Sequence, residues 1–138
     1  MPVIALNHYN LRAPRDLMSQ LREFYCDVVG LEQGERPPFD SFGYWLYAGG
    51  RPILHLSERL SGDVGATNNS TFDHAAFSCV NLEEMEARLA AHRVPYKVAY
   101  VSLTRQTQIF FKDPAGNGVE LNFEDQPAFI ATFGNNPV

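Results

Sequence analysis

The sequence predicts an α+β fold in which one strand–helix–strands unit is used twice. Three observations predict it. The same order of periodic segments occurs in each half. A polar, Gly-rich stretch without hydrophobic period, SERLSGDVGATNNST over residues 57–71, separates the halves. Polar residues also repeat at strand positions: His8 and His74, 66 residues apart, stand in the first strand of each half, and His55 and Glu120, 65 apart, stand in the last. The expected organisation is one domain over 1–138, with a first module at 3–58, a linker at 59–71, a second module at 72–124 and a tail at 125–138.

The first half opens on VIALNHYNLR (3–12), read as a strand. Pro14 and Asp16 begin a helix with Leu17, Leu21, Phe24 and Val28 at helical spacing, and Gly30 ends it. LEQGERPPFDS is turn-rich, after which SFGYWLYA and PILHLSE read as strands about a Gly49-Gly50 turn. In the second half DHAAFSCV is a strand, and Asn81 followed by Glu84 predicts a capped helix carrying Leu82, Met85 and Leu89. YKVAYVS, QTQIFFK and VELNFE return as strands, the last two joined by DPAGNG, whose Asn117-Gly118 pair suits the positive φ angles of a tight hairpin. His92 and Arg93 are read as cations favoured near a helix C-terminus.

The 138 residues are 45% hydrophobic, enough for a sizeable core, and carry a net charge of −5. That balance, with Lys and Arg scattered, argues against nucleic acid and anionic membrane as partners. No apolar run is long enough to span a bilayer, and the start lacks the features of a signal peptide, so a cytoplasmic protein is expected. Cys26 and Cys79 are expected as small buried hydrophobes rather than a disulfide.

A strand histidine alone is commonly a hydrogen-bonded side chain, and Glu120 could face solvent, since strand faces alternate. If Glu120 faces inward between Val119 and Leu121, its carboxylate needs a partner or a cation. Packing of the halves about a pseudo-twofold axis would bring three imidazoles and this carboxylate together, a donor set suited to Fe(II), Mn, Co, Ni or Zn with positions left for substrate oxygens.

LNHYNLRA, LREFYCDVVGLE, PILHLSE, FDHAAFS and FFKDPAGNGVELNFE resemble the vicinal oxygen chelate superfamily, which includes glyoxalases, extradiol dioxygenases and fosfomycin or bleomycin resistance proteins. The resemblance covers about residues 3–124 and implies two βαβββ modules, each a curved mixed sheet wrapping a metal-containing cleft. It implies metal ligands at His8, His74 and Glu120. His55 stands where glyoxalases commonly carry a glutamate ligand, and is either a fourth ligand or an acid/base group; His55 and Glu120 are the implied proton-transfer residues. The resemblance further implies one divalent ion per site, a small-molecule substrate with vicinal oxygens, and a homodimer in which His8 and His55 of one subunit join His74 and Glu120 of the other.

Two chemistries fit the resemblance. Glyoxalase-like isomerisation is favoured by Arg12, four residues after His8, where glyoxalases carry a carboxylate-binding arginine; extradiol cleavage is favoured by His55 beside a two-histidine, one-glutamate set. The place where dioxygenases commonly carry a tyrosine is Phe110, leaving Tyr44, Tyr47 or Tyr100 as phenol donors. The alternative to an enzyme is a non-catalytic antibiotic- or metabolite-binding module of the bleomycin-resistance kind.

Overall fold

The computed structural model describes residues 5–61 and 72–124. The expected tail and most of the expected linker lie outside the described residues. The chain divides into two compact units, Met1–Ser70 and Thr71–Val138.

In the first unit, β1 (Tyr9–Ala13) leads into α1 (Arg15–Phe24), followed by β2 (Glu32–Gly34), β3 (Gly43–Ala48) and β4 (Arg51–Glu58). The sheet order is β1-β4-β3-β2, with β1 and β4 parallel and the other pairs antiparallel. Pro14, whose fixed φ suits a helix start, precedes α1, and Asp16 occupies the first turn near the positive end of the helix dipole. The helix continues into a wider π-helical turn, Tyr25–Val29, and stops at Gly30, whose φ of 99° only glycine adopts freely. Met18, Leu21, Tyr25 and Val28 are the buried stripe, whereas Leu17 and Phe24 flank it half-buried. Leu46, Leu54 and Leu56 are fully buried on the sheet face toward α1, so strand alternation turns Trp45 and His55 to the opposite, open face.

The second unit repeats the plan with β5 (His74–Cys79), α2 (Leu82–Ala91), β6 (Lys97–Val101), β7 (Gln106–Lys112) and β8 (Gly118–Glu124). Its order is β5-β8-β7-β6, with β5 and β8 parallel. Thr107, Ile109 and Phe111 on β7 and Val119, Leu121 and Phe123 on β8 are buried on one face, which leaves Gln108, Phe110 and Glu120 on the other. These are the expected α+β modules, each a four-stranded mixed sheet with a helix.

Several local expectations are corrected. The first strand starts at Tyr9, so His8 lies one residue before it. The turn-rich 31–41 stretch contains the short strand β2. Asn81 does not cap α2: it sits at φ 69° and its side-chain amide donates to Glu84 Oε2 at 2.8 Å rather than accepting from the helix backbone. In the β7–β8 turn the positive φ belongs to Gly116, at 87°, not to Asn117-Gly118. Asp113 builds that turn, its carboxylate accepting the backbone N–H groups of Ala115 and Asn117 and the Asn117 side-chain amide, each at 2.9 Å. The Gly49-Gly50 turn is as expected, with φ of 57° and 74°. Cys26 and Cys79 are free thiols. Among the described residues no helix is long and apolar enough to cross a membrane.

Candidate metal centre

Each unit carries one pair of candidate ligands, and the sheet register makes the pairs equivalent. In the second unit His74 on β5 faces Gly118 on the central strand β8, so Glu120 stands two residues further along on the same face. In the first unit Tyr9 faces Leu54, and extending that register by one residue sets His8 opposite Ile53, two residues before His55. Each pair is thus the same diagonal neighbour relationship across a parallel strand pair.

The second pair is oriented from behind. His74 Nδ1 lies 2.7 Å from Asp73 Oδ2, which leaves Nε2 toward Glu120 Oε2 at 3.6 Å. Two metal–ligand bonds of about 2.1 Å, opened by roughly 90 to 120°, span about 3.0 to 3.6 Å, so this gap matches the bite of one ion. Glu120 is only 8% exposed, and Gln108 Nε2 donates to its Oε1 at 2.8 Å, leaving Oε2 as the atom with free lone pairs. The hydrogen bond from His74 holds the Asp73 carboxyl below its ordinary value. Such outer partners fix tautomer and ring orientation in metal sites.

The first pair is a ring stack. The His8 and His55 centroids lie 3.8 Å apart at 17°, and Trp45 covers the other face of His55 at 4.1 Å and 7°. Asn7 Oδ1 lies 2.7 Å from His8 Nδ1, and the Pro52 carbonyl 3.1 Å from His55 Nε2, so His8 Nε2 and His55 Nδ1 are the unengaged nitrogens. Desolvation, then His8 and finally the cation at Arg36, lower the His55 imidazole below its usual value against an opposing hydrogen bond to Pro52. His55 is therefore biased toward the neutral form that binds metal or accepts a proton.

Neither unit alone gathers three candidate ligands among the described residues. The donor chemistry nonetheless fits a divalent ion, because each of the four side chains is held through one polar atom and presents another. Arg12 lies on the His8 face of β1, exposed, with Nη2 3.3 Å from the Glu58 carbonyl. Phe110 faces Glu120 directly across β7–β8. Tyr44 and Tyr100 pair with the buried Leu56 and Thr107, on the sheet faces away from His55 and Glu120, while Tyr47 donates its hydroxyl to the Glu35 carbonyl at 2.7 Å.

Sequence reading missed Asp73 and Gln108. Asp73 was signalled by its place beside His74, and Gln108 by period-2 counting back from Phe110, once the β7–β8 register is known. Asn122 also stands on the Glu120 face, with its buried Oδ1 lacking a hydrogen-bond partner among the described residues. Beside His74 a cleft of about 540 Å³ opens in the second unit, with Phe110 and Tyr96 in its lining.

The fold and the chain's sequence lead to the same relatives. The chain resembles a glyoxalase family protein from Bacillus anthracis (TM-score 0.69, 18% identity, covering 89% of this chain and 97% of that one). It resembles lactoylglutathione lyase from Agrobacterium tumefaciens (0.64, 22%, 89% and 96%) and an antibiotic binding protein from Streptomyces sp. CB03234 (0.65, 17%, 91% and 99%). At these identities the likeness is one of fold. No curated protein sequence matches. The model of the Glyoxalase/Bleomycin resistance protein/Dioxygenase superfamily matches residues 5–121, and with the paired sheets this makes the chain a member of that superfamily.

Proposed function

We propose that this protein is a divalent-metal-dependent enzyme acting on a small molecule with vicinal oxygens, and that His8, His55, His74 and Glu120 are the ligand set. The observation that carries the reading is the equivalence of the two diagonal pairs, each with outer partners holding the atoms a metal would not use. A structural histidine needs no such matched counterpart in a duplicated unit.

A bound ion would supply Lewis acidity, polarising neighbouring substrate oxygens and stabilising the anion left when a proton departs. Glu120 Oε2 would accept or return that proton, with Gln108 steadying the other carboxylate oxygen. His55, held toward its neutral form, is the second proton acceptor or the fourth ligand. Arg12 would steady an anionic part of the substrate on the open face of the first unit.

Elemental analysis of protein purified without chelator or affinity tag tests the reading, with His74→Ala alongside. About one divalent ion per chain, absent from the variant, is expected. Iron favours oxygen-inserting dioxygenase chemistry, whereas nickel, cobalt or zinc favours glyoxalase-like isomerisation. A protein that takes up no metal on reconstitution overturns the enzyme reading and leaves a non-catalytic binding module, which the aromatic cleft and the fold shared with an antibiotic binding protein favour as the second reading.

Homodimerisation belongs to the same proposal, with His8 and His55 of one copy joining His74 and Glu120 of another. Metal retention across a dilution series distinguishes the arrangements: a demonstrated monomer that keeps its metal excludes the shared site.

A further inference from the structure

The sequence contains two lysines among 138 residues, Lys97 and Lys112, and both line the cleft beside His74. Nine arginines carry the rest of the positive charge. The sheet register puts the two lysines together. Lys97 on β6 faces Phe110 on β7, and Lys112 lies two residues beyond Phe110, on the same strand face. The two are diagonal cross-strand neighbours, a separation of roughly 7 to 8 Å that long side chains close easily.

The same register links them to the candidate ligands. Lys112 faces Gly118, which faces His74, and Lys97 faces Phe110, which faces Glu120. Gly118 carries no side chain between His74 and Lys112, so the cleft stays open along that row. Phe110 is a half-buried aromatic surface between the lysines and Glu120.

The charge of the cleft lining runs against the molecule as a whole, with Glu120 on the same sheet face just beyond it. The chain is −5 overall, yet the lining residues carry two ammonium groups against the single carboxylate of Asp73. Lys112 acts on Asp73, which already lies beside His74, whereas Lys97 has no hydrogen-bond or ion-pair partner among the described residues. The two exposed ammonium groups stand on diagonal cross-strand neighbours, and an anion bound between them would relieve their mutual repulsion.

We infer that the cleft binds an oxyanion, carboxylate or phosphonate, carried on an aromatic body: the ring lies on Phe110 and the anion is held by Lys97 and Lys112. This deepens the proposed function by giving its substrate a class, an aromatic acid whose reacting oxygens extend toward His74 and Glu120. The two lysines are specificity-determining residues and take no part in proton transfer.

The test uses chelator-treated full-length protein, so its outcome is independent of metal binding. Benzoate, phenylphosphonate and the neutral isostere benzamide are titrated by ligand-observed NMR at low and raised ionic strength. Two exposed ion pairs predict that at least one anion binds roughly two- to thirtyfold tighter than benzamide, with the preference shrinking as salt rises. The Lys97→Gln/Lys112→Gln double variant is expected to lose the preference and Lys97→Arg/Lys112→Arg to keep it; both positions are exposed, so folding is not at stake. The stronger of benzoate and phenylphosphonate identifies the oxyanion. Equal binding of all three probes, binding of none, or a preference that survives in the double glutamine variant overturns the inference. Failure to take up metal, with the anion preference intact, overturns the enzyme reading instead.

Discussion

Gly118 lies directly beneath His74: a Cβ placed on Gly118 would come within 2.7 Å of His74 Cβ and would also strike the Asp73 carbonyl oxygen, which accepts the Gly118 N–H at 3.0 Å. The glycine is therefore a matter of close approach and not of a turn. Gly118→Ala is expected to push β5 away from β8 at its N-terminal end and swing His74 out of line with Glu120. The expected cost is about 1 to 3 kcal/mol of stability and about 10- to 100-fold in metal affinity. Thermal melts and metal titration of the same preparation check both.

The His55 imidazole supplies a pH dependence with a definite sign. Its folded value is lowered, mainly by desolvation and by His8, from an ordinary 6.5. The unfolded chain then binds the proton more readily than the folded one. Stability is full above about pH 6.5, declines as pH falls through that value, and levels off once pH passes below the lowered folded value. Denaturant melts of metal-free protein between pH 7.5 and 5 are expected to show the decline, and His55→Gln to flatten it. Trp45, the chain's single tryptophan, stacks on His55, so its fluorescence in the folded protein is expected to titrate at the lowered folded value.

Cys79 is expected to be inert. Burial pushes its thiol up to about 11, so at pH 8 about one molecule in a thousand carries the thiolate. Burial also raises Cys26. Iodoacetamide at pH 8, read by intact mass, should leave the native protein unmodified over minutes and label both cysteines once it is unfolded.

Asp113 is 5% exposed and accepts three hydrogen bonds within the turn that sends β7 into β8. Asp113→Ala leaves two backbone N–H groups without their acceptor and is expected to cost about 2 to 4 kcal/mol. Asp113→Asn keeps one acceptor oxygen and should lose less. Because Gly118 follows that turn, the alanine variant is also expected to weaken metal binding, checked by the same titration.

The duplication was legible because strand and helix periods are properties of the chain itself, and His8/His74 and His55/Glu120 keep their spacing in both halves. What surrounds those residues was not. Gln108 reaches Glu120 only through the β7–β8 register, and Asp73 acquires meaning only once the His74 ring is seen to turn its Nδ1 back toward it. In α1 hydrophobicity could not rank Leu17 against Met18 or Phe24 against Tyr25, since both choices fit a helical stripe; packing selected Met18 and Tyr25. Asn117-Gly118 had the composition of a hairpin turn, but the Asp113 side chain organised the turn one step earlier and left Gly118 to the strand. Asn81 and Glu84 had capping spacing, yet their side chains bonded to each other.

The placement of both lysines in one cleft governs how this protein can be handled at a surface. Amine-coupling chemistries, whether for a biosensor chip, a bead or a fluorescent label, have only Lys97, Lys112 and the α-amino group to react with. A preparation coupled through either lysine is anchored across the cleft beside His74 and is expected to under-report any ligand bound there, whereas attachment through an added tag leaves the cleft facing solution.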